Sequence, residues 1–474
     1  MITFTIALLL LIGGYCVYGG YVNRIFAPDD RKTPALTMAD GVDYIPMPTW
    51  KLFMIQFLNI AGLGPIFGAI MGAQFGTSCY LWIVLGTIFG GAVHDFFSGA
   101  ISIRNAGESL PEMVGRFLGE RTKRVMCVFS MVLMVLVGAV FVSGPAELLA
   151  NMTSEYFNAL FWIVAIFLYY MLATMLPIDK IIGKVYPVFA IALIFMAIGI
   201  LVMLFVKSPE LPEMWNGFGT KYEKEPIFPM MFISIACGAI SGFHATQSPL
   251  MARCMKHEKY CRPVFYGAMV TEGIVALVWA AAATYFFQEN GTVDPLTGKA
   301  YSGAVVATKI SNDWLGAFGG LLALLGIVAA PITSGDTALR SARLIVADFF
   351  HIDQHPISKR LLVSVPIFIV TVMVLVYSLS DANGFKIIWQ YFALCNQALS
   401  VFTLWAITVF LVQRKKNYFI TLIPALFMTA VCSTYLCIAP QAFDLGTTLS
   451  YSIGAGCVVI AIVWFILWYR RAAR

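Results

Sequence analysis

The sequence predicts an all-α integral membrane protein of about 13 transmembrane helices. Three observations predict it. Apolar residues make up 60% of the 474-residue chain and charged residues only 12%, where a soluble domain carries about a quarter charged. A core cannot absorb that much apolar surface, so the surplus faces lipid. The apolar residues are also gathered into runs of roughly 20, the length that crosses a bilayer as a helix. Finally, the basic residues collect in alternate loops between the runs.

The runs lie at about 2–23, 52–75, 79–99, 124–146, 157–176, 185–206, 227–248, 264–287, 315–337, 361–378, 386–411, 418–438 and 447–469. The first has no basic n-region and is long enough to span, so it reads as a helix and not as a cleavable signal peptide. If successive loops change sides, one set comprises 24–51, 100–123, 177–184, 249–263, 338–360, 412–417 and the tail. With Arg124 counted at the rim of its span, that set holds 25 of the 31 Lys and Arg, and the opposite set holds 6. The positive-inside rule then places a multi-pass protein in the inner membrane, N-terminus outside and C-terminus cytoplasmic. The ten cysteines are scattered, mostly within apolar runs. That pattern suits buried thiols and not a disulfide framework.

Two segments echo each other. Phe57-Leu58-Asn59-Ile60-Ala61-Gly62 is matched by Phe232-Ile233-Ser234-Ile235-Ala236-Cys237, and each opens a glycine-interrupted stretch. Four whole spans lie between them, so the repeating unit is five helices, and an odd unit re-enters from the opposite face. The chain reads as one membrane domain over 1–474. It has an extra helix at 1–23, inverted repeats at 52–206 and 227–411, and two C-terminal helices with a tail at 418–474.

Interrupted helices at corresponding places in two halves point to a transporter's binding site. Unpaired backbone at that depth must line a cavity or be covered by protein. Pro65 suits the first turn of a new half-helix, where its missing N–H costs nothing, and the positive end of that half-helix suits a carboxylate. The substrate-binding candidates are Asn59, Gly62, Gly64, Pro65, Gln74, Gly238, Ser241, Gly242, His244, Thr246 and Gln247. The same glycines also suit close packing between helices.

Ionisable side chains inside spans are costly and mark ion pathways. His94 and Asp95 close the third span, His244 follows the second interruption, and Glu272 sits about a third of the way into the eighth. All four suit a transferable proton. His94 and Asp95 also suit a structural pairing with Arg104 or Arg340. Asp336 ends the polar patch Ala329-Ala330-Pro331-Ile332-Thr333-Ser334-Gly335-Asp336, where Ala330, Thr333 and Ser334 offer oxygens to a small hard cation. Ordinary bonding of Thr and Ser back to their own helix is the alternative. Glu147 reads as interfacial. Ser109-Leu110-Pro111-Glu112 reads as a capping box opening a short interfacial helix, with Glu112 and Arg116 an i, i+4 pair.

Cys254, His257 and Cys261, with His351 and His355, lack the spacing of a standard zinc finger, so no metal is expected. An intramembrane enzyme is disfavoured. His-Glu-x-x-His is missing, and Thr333 breaks the Gly-x-Gly-Asp of membrane aspartyl proteases. No catalytic residue and no cofactor beyond a coupling ion is expected. The expected partners are a small solute and the lipid bilayer, not nucleic acid. A channel or a nutrient sensor remains as the other class.

The run Asn59-Ile60-Ala61-Gly62-Leu63-Gly64-Pro65-Ile66-Phe67-Gly68-Ala69 resembles the signature of the carbon starvation protein A family. So do Gly91-Ala92-Val93-His94-Asp95-Phe96, Ser109-Leu110-Pro111-Glu112 and Ser241-Gly242-Phe243-His244-Ala245-Thr246-Gln247. The resemblance covers about 1–411. It implies a secondary transporter for small peptides, or for pyruvate as in close relatives, used when nutrients are short. It also implies the five-plus-five, LeuT-like core of the amino acid–polyamine–cation transporters. In sodium-coupled members of that superfamily an Ala, a Thr and a Ser of the eighth core helix bind the ion, and Ala330, Thr333 and Ser334 fall at that spacing. The pyruvate importers imply protons instead.

Overall fold

In lipid every backbone polar group must find its partner within the protein, which leaves long apolar runs only the helix. The structure, a computed structural model, describes residues 1–153, 156–176, 182–217, 225–295, 298, 300–380 and 384–472. Within helices it describes all side chains but those of 147, 151–152, 317–319, 322–324, 385–386 and 472. The expectation for Glu147 therefore lies outside the described side chains.

Among the described residues, nine helices are long and apolar enough to cross a membrane. A tenth span results if a pair bent by 56° counts as one. The elements are α1 (Ile2–Phe26), the bent pair α2 (Thr49–Ile60) and α3 (Gly64–Phe75), and α4 (Ser78–Arg104). After these come α5 (Leu110–Leu118), α6 (Glu120–Met152), α7 (Ala159–Met175) and α8 (Ile182–Lys207). The second half holds α9 (Ile227–Ser234), α10 (Gly242–Ala252), α11 (Glu258–Asn290) and α12 (Gly303–Phe350). Last are α13 (Ile357–Ser380), α14 (Gly384–Gln413), α15 (Phe419–Ile438) and α16 (Thr447–Ala472).

Three expected spans take other forms. The run at 157–176 is a helix of only 17 residues, α7. The run at 227–248 is two short helices, α9 and α10, parted by non-helical 235–241. The run at 315–337 lies within the 48-residue α12, whose helical path is broken at Gly316, at φ +66°.

Burial sorts the helices into an inner and an outer set. The most apolar stretches of α4 and α11 are 83% and 89% buried, whereas those of α1 and α16 are 28% and 17% buried. Residues expected near a span end thereby move inward. The third span reaches Arg104 and not residue 99, so His94 and Asp95 sit ten and nine residues, about 14–15 Å of helix, from its end. Glu272 lies near the middle of the 33-residue α11 and not a third of the way in.

Ser109 stands at the N-cap of the short helix α5 as predicted, but the capping box does not form. The Ser109 side chain makes no cap bond, Glu112 reaches Lys123 at 2.7 Å, and Arg116 pairs with Glu108. Longer-range partners outbid the local ones.

Glycines let the inner elements touch. A Cβ on Gly242 would stand 2.3 Å from the Asn396 carbonyl oxygen and 2.5 Å from the Ser400 nitrogen, both backbone. Neither atom can turn aside as a side-chain tip could. Gly242→Ala is expected to lower stability by about 1–3 kcal/mol, the cost of overpacking, seen as a lower melting temperature in detergent. Gly456→Ala, where a Cβ meets nothing within 4 Å, should leave that temperature unchanged.

Candidate transport site

The chain breaks its helices twice, at 61–63 between α2 and α3 and at 235–241 between α9 and α10. Each break frees backbone groups that need partners. At the first, Ser334 of α12 donates toward the carbonyls of Asn59 (2.9 Å) and Leu58 (3.3 Å). At the second, Thr87 of α4 donates to the Gly238 carbonyl at 3.1 Å. Gln397 of α14 donates to the Ile240 carbonyl at 3.0 Å. The amide oxygen of Asn396 accepts from the Phe243 N–H at 2.7 Å and from the Ser241 hydroxyl at 2.9 Å, closing the N-terminus of α10. The N-terminus of α3, with Pro65 in its first turn, has no side-chain cap.

The two breaks also touch each other. A Cβ on Gly64 would stand 2.3 Å from Cys237 Cβ, and one on Gly68 would stand 2.7 Å from the Ser234 carbonyl oxygen. Gly91, in a π-helical turn of α4 (Gly86–Gly91), lies so close to the second break that a Cβ would meet the Ala239 carbonyl oxygen at 2.3 Å. Glycine thus serves here for close approach, while the backbone stays open at both places.

Beside the second break the four ionisable residues singled out in the sequence come together. Both Asp95 oxygens are engaged by imidazoles, Oδ1 by His94 Nδ1 at 2.7 Å and Oδ2 by His244 Nδ1 at 2.9 Å. His244 Nε2 lies 3.5 Å from Glu272 Oε2, ion-pair distance without hydrogen-bond geometry. All four side chains are fully buried. Neither Glu272 oxygen has a hydrogen-bond partner. The pairing of Asp95 with Arg104 or Arg340 does not occur, because Arg104 is bound to Glu258 at 2.8 Å and Arg340 to Asp43 at 3.1 Å.

This geometry poses a proton question. When Nδ1 of His244 donates to Asp95, a neutral ring turns its Nε2 lone pair toward Glu272. Two acceptors then face each other unless a proton lies on one of them. The low dielectric makes any such mismatch costly.

Asp336 forms a separate group. Its Oδ2 accepts from Tyr169 at 2.9 Å and faces the Tyr186 hydroxyl at 2.5 Å, while Oδ1 is unpartnered. Tyr186 also lies 2.9 Å from the Thr333 carbonyl. Thr333 bonds back to Ala329 and Ala330 at 3.0 and 2.8 Å. Ser334 Oγ also lies 3.0 Å from the Ala330 carbonyl, so its one proton serves either its own helix or the first break. Both hydroxyls thus reach back to their own helix, the alternative the sequence offered, and Ser334 reaches the first break as well.

The other candidates divide. Asn59 is fully buried with its amide nitrogen and oxygen both unpartnered. Thr246 donates to the Phe243 carbonyl at 2.6 Å, and Gln247 donates to the Thr246 hydroxyl at 2.9 Å, leaving its own oxygen free. Gln74 lies ten residues beyond Gly64, its amide turned to Met71 Sδ at 3.9 Å, and joins none of the groups above. Asn396 and Gln397 were missed. Two adjacent amides in an otherwise apolar span are a readable signal, but it draws attention only once the open backbone they serve is known. The sulfurs of Cys254 and Cys261 turn to the Asp43 carbonyl and to Met255 Sδ, at 3.7 and 3.8 Å. Among the described residues no three of His, Cys, Asp and Glu are grouped as a metal-ligand set.

A helical bundle with two open breaks and a buried ionisable cluster is an arrangement that membrane transporters use. The fold resembles that of solved transporters. A manganese transporter from Eremococcus coleocola superposes with a TM-score of 0.56 at 11% identity, covering 92% of this chain and 100% of that one. A Na+-coupled sialic acid symporter in a substrate-bound outward-open state also gives 0.56, at 15% identity, covering 95% and 96%. The family described as carbon starvation protein CstA matches the chain over residues 1–159, 146–304 and 287–435. The chain belongs to that family. An uncharacterized membrane protein of Haemophilus influenzae is 40% identical over 61% of this chain and 92% of its own. A protein of Bacillus subtilis named peptide transporter CstA is 28% identical over 90% and 88%. The Escherichia coli pyruvate/proton symporter BtsT is 28% identical over 54% of this chain and 44% of its own.

Proposed function

We propose that the protein is a secondary active transporter that imports a small peptide or pyruvate across the inner membrane, coupled to protons, when carbon is scarce. The observation that carries the reading is the His244–Glu272 contact at 3.5 Å, fully buried beside the second break. It needs one proton and is held by groups able to exchange one. Loss of that proton leaves an uncompensated buried charge against the break, so occupancy and backbone geometry are linked. The solute carboxylate binds at the uncapped N-terminus of α3 once the packed breaks part, and Asn59 offers it an unpartnered amide. Asp336 is a second proton carrier. The single Tyr186 hydroxyl proton cannot serve both the Thr333 carbonyl and Asp336.

In this reading the chain crosses the membrane thirteen times. The inverted repeats 52–206 and 227–411 rock against each other in alternating access. The N-terminus lies outside, and the C-terminus is cytoplasmic. Names borne by relatives, peptide transporter and pyruvate/proton symporter, support the solute classes.

A sodium-coupled variant of this reading rests on one observation. Ser334 Oγ, the Ala330 carbonyl and the Leu58 and Asn59 carbonyls converge from α12 and the first break, an oxygen set suited to a hard cation.

Purified protein in proteoliposomes tests both. Labelled dipeptide and labelled pyruvate are offered with pH and sodium gradients imposed separately. Accumulation of one solute driven by an inward proton gradient, without sodium, is expected. Ser334→Ala should then keep uptake within about fivefold, as a lost hydrogen bond of about 1 kcal/mol implies. Uptake that requires sodium and collapses in Ser334→Ala selects the sodium reading. No accumulation of either solute under either gradient selects a sensor or channel.

A further inference from the structure

We propose that an apolar groove on the flank of the bundle is a binding site for an anionic phospholipid. One acyl chain lies in the groove and the phosphate headgroup among the basic residues at its end. The groove is a cavity of about 800 Å3, within the roughly 300–1,000 Å3 of small-molecule sites. It runs between Tyr18 of α1, Leu85 and Phe89 of α4, Met231 of α9, and Ile423 of α15, and its wall is almost wholly apolar. A lining with so few polar atoms matches an alkyl chain and offers nothing to a polar solute.

Charge at one end says which lipid. Phe419, the first residue of α15, lines the groove and directly follows the loop that carries Arg414, Lys415 and Lys416, all exposed. Asn417 of that loop donates to the Tyr21 hydroxyl of α1 at 2.7 Å, which fixes the loop at the groove mouth. Arg24, exposed, lies one turn of α1 beyond Tyr21. Arg24, Lys415 and Lys416 belong to none of the ion pairs found among the described residues, so their charge is available to a phosphate. Basic clusters next to a membrane-embedded apolar surface attract anionic headgroups.

The groove also touches the moving parts of the bundle. Ile240, at the end of the second break, and Gly86 and Gly90, in the π-helical turn of α4, line it. A seated chain therefore fills space against the break, and its loss lets Ile240 and Met231 shift. The bound lipid thus supports one conformation of the second break.

The full-length protein is purified in mild detergent with phosphatidylglycerol and phosphatidylcholine in equal amounts, and retained lipid is counted by native mass spectrometry. Retention of phosphatidylglycerol over phosphatidylcholine is expected, unaffected by added inorganic phosphate. The double variant Lys415→Gln and Lys416→Gln should lose the preference yet still retain lipid. Ile423→Trp, which fills the groove from a position 64% exposed, should lose retention of both. Melting temperature and monodispersity confirm that each variant is folded, and both changes are at exposed residues. Equal retention in wild type and both folded variants overturns the proposal. So does a dimer whose cross-links map to Ile423, because a second copy of the chain would then cover the groove. The readout is bound lipid, so it stands or falls apart from transport activity.

Discussion

Glu272→Gln is expected to reduce proton-driven accumulation in proteoliposomes to the background of empty vesicles, while exchange of solute down its gradient persists. The reasoning is steric as well as electrostatic. Gln has the shape of Glu, and neither oxygen of Glu272 is engaged in a hydrogen bond, so the substitution breaks no contact. It removes one capacity, that of carrying a transferable proton opposite His244 Nε2, 3.5 Å away. Binding and alternation survive in such a variant, and the coupling between them and the proton does not. His244→Ala should go further. It removes the ring that links Asp95 to Glu272, leaves Asp95 with His94 alone, and opens a cavity beside the second break. Loss of both exchange and accumulation is expected there. Wild-type accumulation in Glu272→Gln, measured at several imposed pH gradients, would remove the cluster from the coupling mechanism.

Asp43→Asn is expected to cost about 3–5 kcal/mol of stability, the range for removing one partner of a buried ion pair. Asp43 lies in the loop between α1 and α2 and is 3% exposed. It is bound at 3.1 Å by Arg340 and by Arg343, which are 1% and 0% exposed. Two guanidiniums from α12 are thus held in the protein interior by a single carboxylate from another element. The other terminal nitrogen of Arg340, Nη2, donates to the carbonyls of Ala173 and Leu176 at the end of α7. Breaking the pair therefore strands two charges and loosens the junction of α7, α12 and the loop.

Burial by itself would raise the Asp43 carboxyl, but Arg343, Arg340 and Arg253 hold it down at about 2. A lowered acid contributes stability that is complete above its unfolded value and fades as pH falls toward the folded one. The contribution, about 2 kcal/mol for a shift of this size, should be lost between about pH 5 and pH 2. Asp43→Asn should flatten the melting temperature over that window. A melting temperature equal to wild type at neutral pH would show that the pair stabilises nothing.

Much of this architecture follows from one-dimensional facts. Composition requires lipid contact, because no core of 474 residues holds 60% apolar side chains. Glycines at 62, 64, 238 and 242 locate both interruptions, since only backbone without Cβ passes where Gly242 meets the Asn396 carbonyl. Ionisable side chains are so rare in apolar runs that His94, Asp95, His244 and Glu272 could each be picked out before any was known to touch another.

Their meeting was a matter of the tertiary structure alone. Asp95 and His244 are 149 residues apart in the chain, and Asp95 had a plausible arginine partner, Arg104, much nearer in sequence. Asp43 of a loop and Glu258 at the start of α11 decide otherwise, because they claim Arg340 and Arg104 first. Depth in the membrane was likewise hidden. Hydropathy marks where a run becomes polar, whereas α4 continues as helix to Arg104 because neighbouring protein, not lipid, surrounds it there. The partners of the open backbone, Thr87, Ser334, Asn396 and Gln397, were invisible for the same reason. Helical periodicity tells which side of a helix a residue takes, but the neighbour that needs its hydrogen bond is set by how distant segments pack.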